Sequence, residues 1–282
     1  MLGLLAVSGY PPSPFSVLDF YVRPREAARA DVPSHGELIV LAFVAGLADG
    51  VATGIGALPA AFVSRASDRL LDGLLGFAGG IMISVTAFGL LIPAFDEGGV
   101  MTAALGMAAG AGVLAVADRT VPHLHLLEGP EGPRVSLQRA WLIVLAITIH
   151  NFPEGLAVGV TFGRGDIDAA IILAIGIGIQ DMPEGLAVAL PLIREGYRSG
   201  RAISYAALTG MAEPLAALAG VSLVIVFDRL LPVGLAFAAG AMAYVVFDEI
   251  IPESFRRGHR EVATTGALAG FILMTTLEQA FT

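Results

Sequence analysis

Long apolar runs alternate with short polar interruptions along this chain. Eight of the runs approach the length a helix needs to cross a bilayer, about 20 residues. They fall at about 37–63, 70–95, 100–118, 138–162, 167–192, 202–227, 230–252 and 262–281. The pattern predicts an all-α polytopic membrane protein with eight transmembrane helices, filling residues 37–282 behind a tail of residues 1–36. Met1 to Val7 is apolar but lacks a basic start, and Pro11, Pro12 and Pro14 follow, so an interfacial or disordered tail is expected rather than a cleaved signal peptide. Connections are short except 119–137, whose Pro122-His123-Leu124-His125 and Gly129-Pro130-Glu131-Gly132-Pro133 read as a flexible loop.

Arginine placement sets the expected orientation. Arg65 and Arg69, then Arg119, Arg134 and Arg139, then Arg194, Arg198 and Arg201, then Arg256, Arg257 and Arg260 occupy alternate loops. The opposite loops hold only Arg164 and Arg229. Basic loops stay cytoplasmic, so loop 119–137 is expected inside and both termini outside, against Arg23, Arg25 and Arg29 of the tail. A plasma (inner) membrane location is expected.

One repeat lies at distance. Phe77-Ala78-Gly79-Gly80-Ile81-Met82 is similar to Phe237-Ala238-Ala239-Gly240-Ala241-Met242, 160 positions on, with Val85 and Phe95 matching Val245 and Phe255. The first copy runs outward on the second span and the other inward on the seventh. Antiparallel copies of one unit are the mark of inverted-repeat transporters.

Composition agrees with a membrane body. Hydrophobic residues make up 56% and charged residues only 15%, against about a quarter in soluble domains. The net charge of −9 gives no reason to expect a nucleic-acid partner. With no cysteine, disulfides and thiolate metal sites are excluded.

A closer repeat carries the chemistry. Pro-Glu-Gly-Leu-Ala-Val occurs at 153–158 and again at 183–188, preceded by His150-Asn151-Phe152 in one copy and Gln180-Asp181-Met182 in the other. On a helix, His150, Asn151 and Glu154 share a face, and Gln180, Asp181 and Glu184 repeat that pattern. Pro153 and Pro183 donate no backbone hydrogen bond, so a kink and free carbonyls at Ile149 and Ile179 are expected beside the acids. The midpoints of the fourth, fifth and sixth spans fall near residues 150, 180 and 214, which puts Glu213-Pro214 at the same depth.

Glu154, Asp181, Glu184 and Glu213 thus lie mid-membrane, and no arginine lies at that depth in those three spans, Arg139 standing at the very start of the fourth. Unpaired buried carboxylates must be protonated, hydrated or bound to cations, and two divalent ions would balance four charges. One imidazole with carboxylates and amides suits zinc, ferrous iron, manganese or cadmium. Magnesium prefers oxygen ligands and retained water, so His150 argues against it.

The motif His150-Asn-x-Pro-Glu-Gly, with a second Pro-Glu-Gly helix thirty residues on, resembles the ZIP family of zinc and iron transporters. The resemblance implies eight core helices in a 3+2+3 inverted-repeat arrangement around helices 4 and 5, and a two-metal site. Its ligands would be His150, Asn151 and Glu154, then Gln180, Asp181 and Glu184, then Glu213, with Asn151, Glu154, Asp181 and Glu184 between the metals or serving both. Many members carry His where Gln180 or Glu184 stands, and a longer His-rich loop where only His123 and His125 remain. This chain therefore reads as a bacterial-type, carboxylate-rich member.

Outside that set, Asp96, Glu97 and Glu278 are candidates for an outer entrance, and Asp248, Glu249 and Glu253 for an inner exit. Asp49, mid-depth in the first span, is expected to pair with a neighbouring helix rather than line the pathway. The function expected is import of zinc, with iron, manganese or cadmium as further substrates, and no enzymatic activity. Its partners would be the ions and the bilayer, with a homodimer left open. The rivals are a proton-coupled exchanger of another cation and an intramembrane metal-dependent hydrolase. The latter would need a His-Glu-x-x-His or Gly-x-Ser-x-Gly motif that is absent.

Overall fold

The computed structural model describes residues 33–62, 67–125, 129–131 and 139–281. Most of the tail, together with Arg65, Arg134 and much of loop 119–137, lies outside the described residues.

Helices dominate. They are α1 (His35–Ala57), α2 (Asp68–Ser84), α3 (Ile92–Thr120), α4 (Arg139–Gly163), α5 (Ile167–Arg194), α6 (Ser199–Thr209), α7 (Ala212–Val226), α8 (Leu231–Val245), α9 (Ile251–Arg256) and α10 (Arg260–Phe281). A short antiparallel hairpin, β1 (His123–His125) on β2 (Gly129–Glu131), occupies part of the loop that was expected to be without structure. The first helix starts two residues earlier than its hydropathy suggests because Ser34 and Glu37 form a capping box. The Ser34 hydroxyl accepts from the Glu37 amide at 3.3 Å, and the Glu37 carboxylate accepts from the Ser34 amide at 2.7 Å. Ser67 and Asp166 cap α2 and α5 without the return bond, their side chains accepting from the Leu70 and Ala169 amides.

Among the described residues, six helical runs are long and apolar enough to cross a membrane, as in a multi-pass membrane protein: His35–Ala61, Asp68–Thr120, Trp141–Gly163, Ile167–Arg194, Ser199–Val226 and Asp228–Arg256. Large apolar side chains such as Val44, Leu105, Val116 and Ile272 are exposed, as a lipid-facing surface requires. The count differs from the eight expected spans at two places. Asp68–Thr120 has 53 residues, about 80 Å of helix against a hydrocarbon core of about 30 Å. Its direction changes at Gly99, whose φ of 74° and ψ of 168° suit a residue without a Cβ. The last helix, α10, has 22 residues, but Thr264, Thr265, Thr275, Thr276, Glu278 and Gln279 dilute its apolar character.

Two features were not visible in the hydropathy. The backbone widens to π-type turns at Val85–Leu91, between α2 and α3, and at Val246–Ile250, between α8 and α9. Each is followed two residues later by a proline, Pro93 and Pro252. A proline takes away the donor for the carbonyl four residues back, and a wider turn re-shares the remaining bonds. Helices α4 and α5 continue through Pro153 and Pro183, which lie inside them.

The most extensive packing joins α2 to α10, α3 to α8, α1 to α5 and α4 to α7. Glycines set the spacing. A Cβ on Gly110 would strike the Phe237 carbonyl, and one on Gly270 the Phe77 carbonyl. Gly50 of α1 and Gly210, at the break between α6 and α7, meet backbone to backbone. Buried apolar side chains fill the body in two clusters, one including Phe162, Ile177 and Met242, the other Leu71, Ile143 and Leu190. Ion pairs tie loops together at the ends. Arg164 binds Glu97 at 2.6 Å, Arg194 binds Asp68 at 3.2 Å, and Asp72 holds Arg257 at 3.0 Å and His259 at 3.1 Å.

Candidate metal centre

Helices α4 and α5 present their repeated motifs to each other and to the start of α7. His150, Asn151, Glu154, Gln180, Asp181, Glu184 and Glu213 are all at least 96% buried. The break at Gly210–Met211 puts Glu213 in the first turn of α7, where the positive end of the helix dipole favours a carboxylate. Glycines let the helices close on this point: a Cβ on Gly155 would strike the Glu213 backbone, and one on Gly185 the Thr53 carbonyl.

Ligand oxygens of Glu154, Asp181 and Glu184 all lie within 4.8 Å of one another, a group able to hold a metal ion. The amides bind the acids through their nitrogens. Asn151 Nδ2 donates to Glu213 Oε1 at 3.2 Å, and Gln180 Nε2 donates to Glu154 Oε1. Among the described residues, that leaves Asn151 Oδ1 and Gln180 Oε1 without hydrogen-bond donors, together with Glu154 Oε2, both Asp181 oxygens, Glu184 Oε1 and Glu213 Oε2. Buried oxygens this numerous, with nothing donating to them, are an anomaly for a packed interior and an ordinary state for a cation site. Their lone pairs are what hard or borderline divalent ions need.

The candidates do not all gather here. Glu249, expected farther along an exit, lies 2.6 Å from His150 Nε2 through Oε1 and so belongs beside the cluster. A cavity runs from His150, Glu184 and Glu249 past Asp248 and Glu253 to Arg256. Of the entrance candidates, Asp96 and Glu97 are exposed, with Glu97 held by Arg164. Glu278 is buried instead, accepting from Ser84 Oγ at 3.1 Å, and Thr275 Oγ1 lies 2.9 Å from that hydroxyl. The side chains of His123 and His125 lie outside the described residues.

Sequence reasoning left Asp49 outside the constellation. It is only 4% exposed on α1, and its Oδ1 lies 2.9 Å from where a Cβ on Gly178 of α5 would be. Among the described residues its Oδ2 has no hydrogen-bond partner. Its mid-span position, beside Gly50, was the available signal.

Comparison with known proteins bears on the same residues. The family model for the ZIP zinc transporters matches residues 128–278. The zinc transporter ZIPB of Bordetella bronchiseptica is 42% identical over 85% of this chain and 81% of its own length. The zinc transporter GufA of Myxococcus xanthus is also 42% identical, over 84% of this chain and 97% of its own length. The human zinc transporter ZIP11 is 35% identical over 80% and 93%.

Proposed function

This chain belongs to the ZIP zinc transporter family, and from that premise we propose that it carries zinc inward across the plasma membrane through a two-ion site at mid-depth. It is a metal transporter, not an enzyme. The observation that carries the reading is the set of carboxylate oxygens on Glu154, Asp181 and Glu184, within 4.8 Å of one another and with Glu154 Oε2, Glu184 Oε1 and both Asp181 oxygens lacking hydrogen-bond partners. Zinc entering it exchanges water for carboxylate, imidazole and amide ligands. His150, Glu184 and Glu249 would hold the ion nearer the cavity, and Asn151, Asp181 and Glu213 the deeper one, with Glu154 between them. Iron, manganese and cadmium fit the same donor set.

The same proposal includes eight spans in an inverted repeat. Several contacts recur at a constant separation of 160 positions, which favours that arrangement. Gly110 against Phe237 answers Gly270 against Phe77, and the pair Tyr244–Asp118 answers Ser84–Glu278. Gly50 and Gly210, themselves 160 apart, touch each other, as partners beside a two-fold axis do. If the arginine-rich loops are cytoplasmic, the cavity lined by both His150 and Arg256 faces inward, which fits release of an imported ion there. Asp96 and Glu278 then belong to the entrance side, and Asp248 and Glu249 to the exit.

Vesicles reconstituted with the full chain should take up zinc down its gradient. Glu154→Ala and Asp181→Ala should each abolish that uptake while protein abundance is kept. Uptake at the parent rate by both variants would end the proposal.

A further inference from the structure

The first helix presents a stripe of small or short side chains to its neighbours: Gly46, Gly50, Ala52, Thr53, Gly56 and Ala57 are all buried or in close backbone contact. Asp49 interrupts that stripe with a carboxylate. An acid inside a membrane body persists only when something offsets its charge. Among the described residues neither a basic side chain nor a hydroxyl does so: Oδ2 accepts no hydrogen bond, and the nearby Thr53 hydroxyl donates to the Asp49 backbone carbonyl at 3.4 Å instead. The other oxygen, Oδ1, lies 2.9 Å from where a Cβ on Gly178 would be. Gly178 is three residues before Asp181, so the two share a face of α5. The lack of a side chain at 178 is what lets the acid of α1 reach that face. Gly46, three residues before Asp49, packs against the start of α7: a Cβ there would lie 3.1 Å from the Glu213 carbonyl oxygen, which places this stretch of α1 against the deeper half of the acidic cluster.

We propose that Asp49 is a sixth carboxylate of the mid-membrane site, supplying an oxygen to the divalent cation held by Asp181 and Glu213. The assignment rests on the reading that this cluster takes a divalent ion. It extends the ligand set to α1, a helix without the repeated motif. It also gives the deeper ion three carboxylates from three helices, α1, α5 and α7. The ion nearer the cavity keeps the imidazole of His150, so the two positions differ in donor chemistry: oxygen alone at the deeper one, mixed nitrogen and oxygen at the other.

Calorimetric titration of zinc chloride into the full chain in lipid nanodiscs tests this. Asp49→Asn keeps the shape and removes the charge, and should weaken zinc binding at least about tenfold, a loss that even outer-shell partners of a metal produce. Glu213→Gln should do the same, and the double variant should be no weaker than the worse single one, since both act on one ion. Unchanged zinc affinity in Asp49→Asn, or fully additive losses, overturns the assignment while leaving the transport reading intact. A parent chain that binds no zinc overturns both. Should Asp49→Asn fail to fold, Gly178→Ala decides: it keeps the charge but displaces the carboxylate, and unchanged affinity there overturns the assignment.

Discussion

At the scale of single residues, the amides are the informative members of the site. Asn151 gives its nitrogen to Glu213 and keeps its oxygen free, so it serves both as a hydrogen-bond donor and as a candidate ligand. Asn151→Leu removes both. Losing a buried hydrogen bond to a charged acceptor should lower the stability of the zinc-free chain by about 1.5–3 kcal/mol, read from thermal unfolding in detergent. Zinc at a hundred times its dissociation constant should stabilise the parent by about 2.7 kcal/mol, and that increment should shrink in the variant. A change in the first quantity without the second would leave Asn151 a structural partner only. Much of this geometry was legible beforehand. The motif repeat put His150, Asn151 and Glu154 on one face and Gln180, Asp181 and Glu184 on another, and depth alone singled out Glu213. Asp49 and Glu249 were not legible as members of the cluster. Their neighbours come from helices more than 90 positions away, and helical periodicity reports only on residues a turn or two apart.

At the scale of elements, hydropathy locates runs of helix but not where a helix widens, breaks or turns. The π-type turns before Pro93 and Pro252 and the break at Gly210–Met211 leave the apolar count unchanged. What the sequence did hold is the spacing of its glycines. Gly110 and Gly270 bring α3 against α8 and α10 against α2, each with no room for a methyl group, whereas Gly112 faces open space. Gly110→Ala and Gly270→Ala should therefore each destabilise the chain by about 3 kcal/mol, the upper end of the cost of overpacking, because the obstacle is backbone. Gly112→Ala should cost nothing, since Ala is the better helix former. Thermal unfolding of the three variants in one detergent checks this. Equal losses at 110 and 270 would support a structural equivalence between the two contacts, while a loss at one alone would speak against it.

The whole molecule is organised by which end of the bundle faces which compartment. Ion pairs already sort the loops. Arg164 and Glu97 join the loops after α5's predecessor and within the α3 run, and Arg194 and Asp68 join the loop after α5 to the start of α2. Loops bound to each other share an end, which is the alternation the arginine count predicts. An acidic, exposed Asp96 at one end and a cavity leading to Arg256 at the other suit cations entering from one side and leaving at the opposite one. The absence of cysteine makes the polarity directly measurable, because any introduced thiol is unique. With a membrane-impermeant maleimide on intact cells, Asp96→Cys and Arg229→Cys should label from outside, and Arg198→Cys only after the membrane is opened. The opposite result would reverse the bundle, place both termini in the cytoplasm, and turn the cavity at His150 outward, so that the site would be loading zinc from outside in this conformation rather than releasing it.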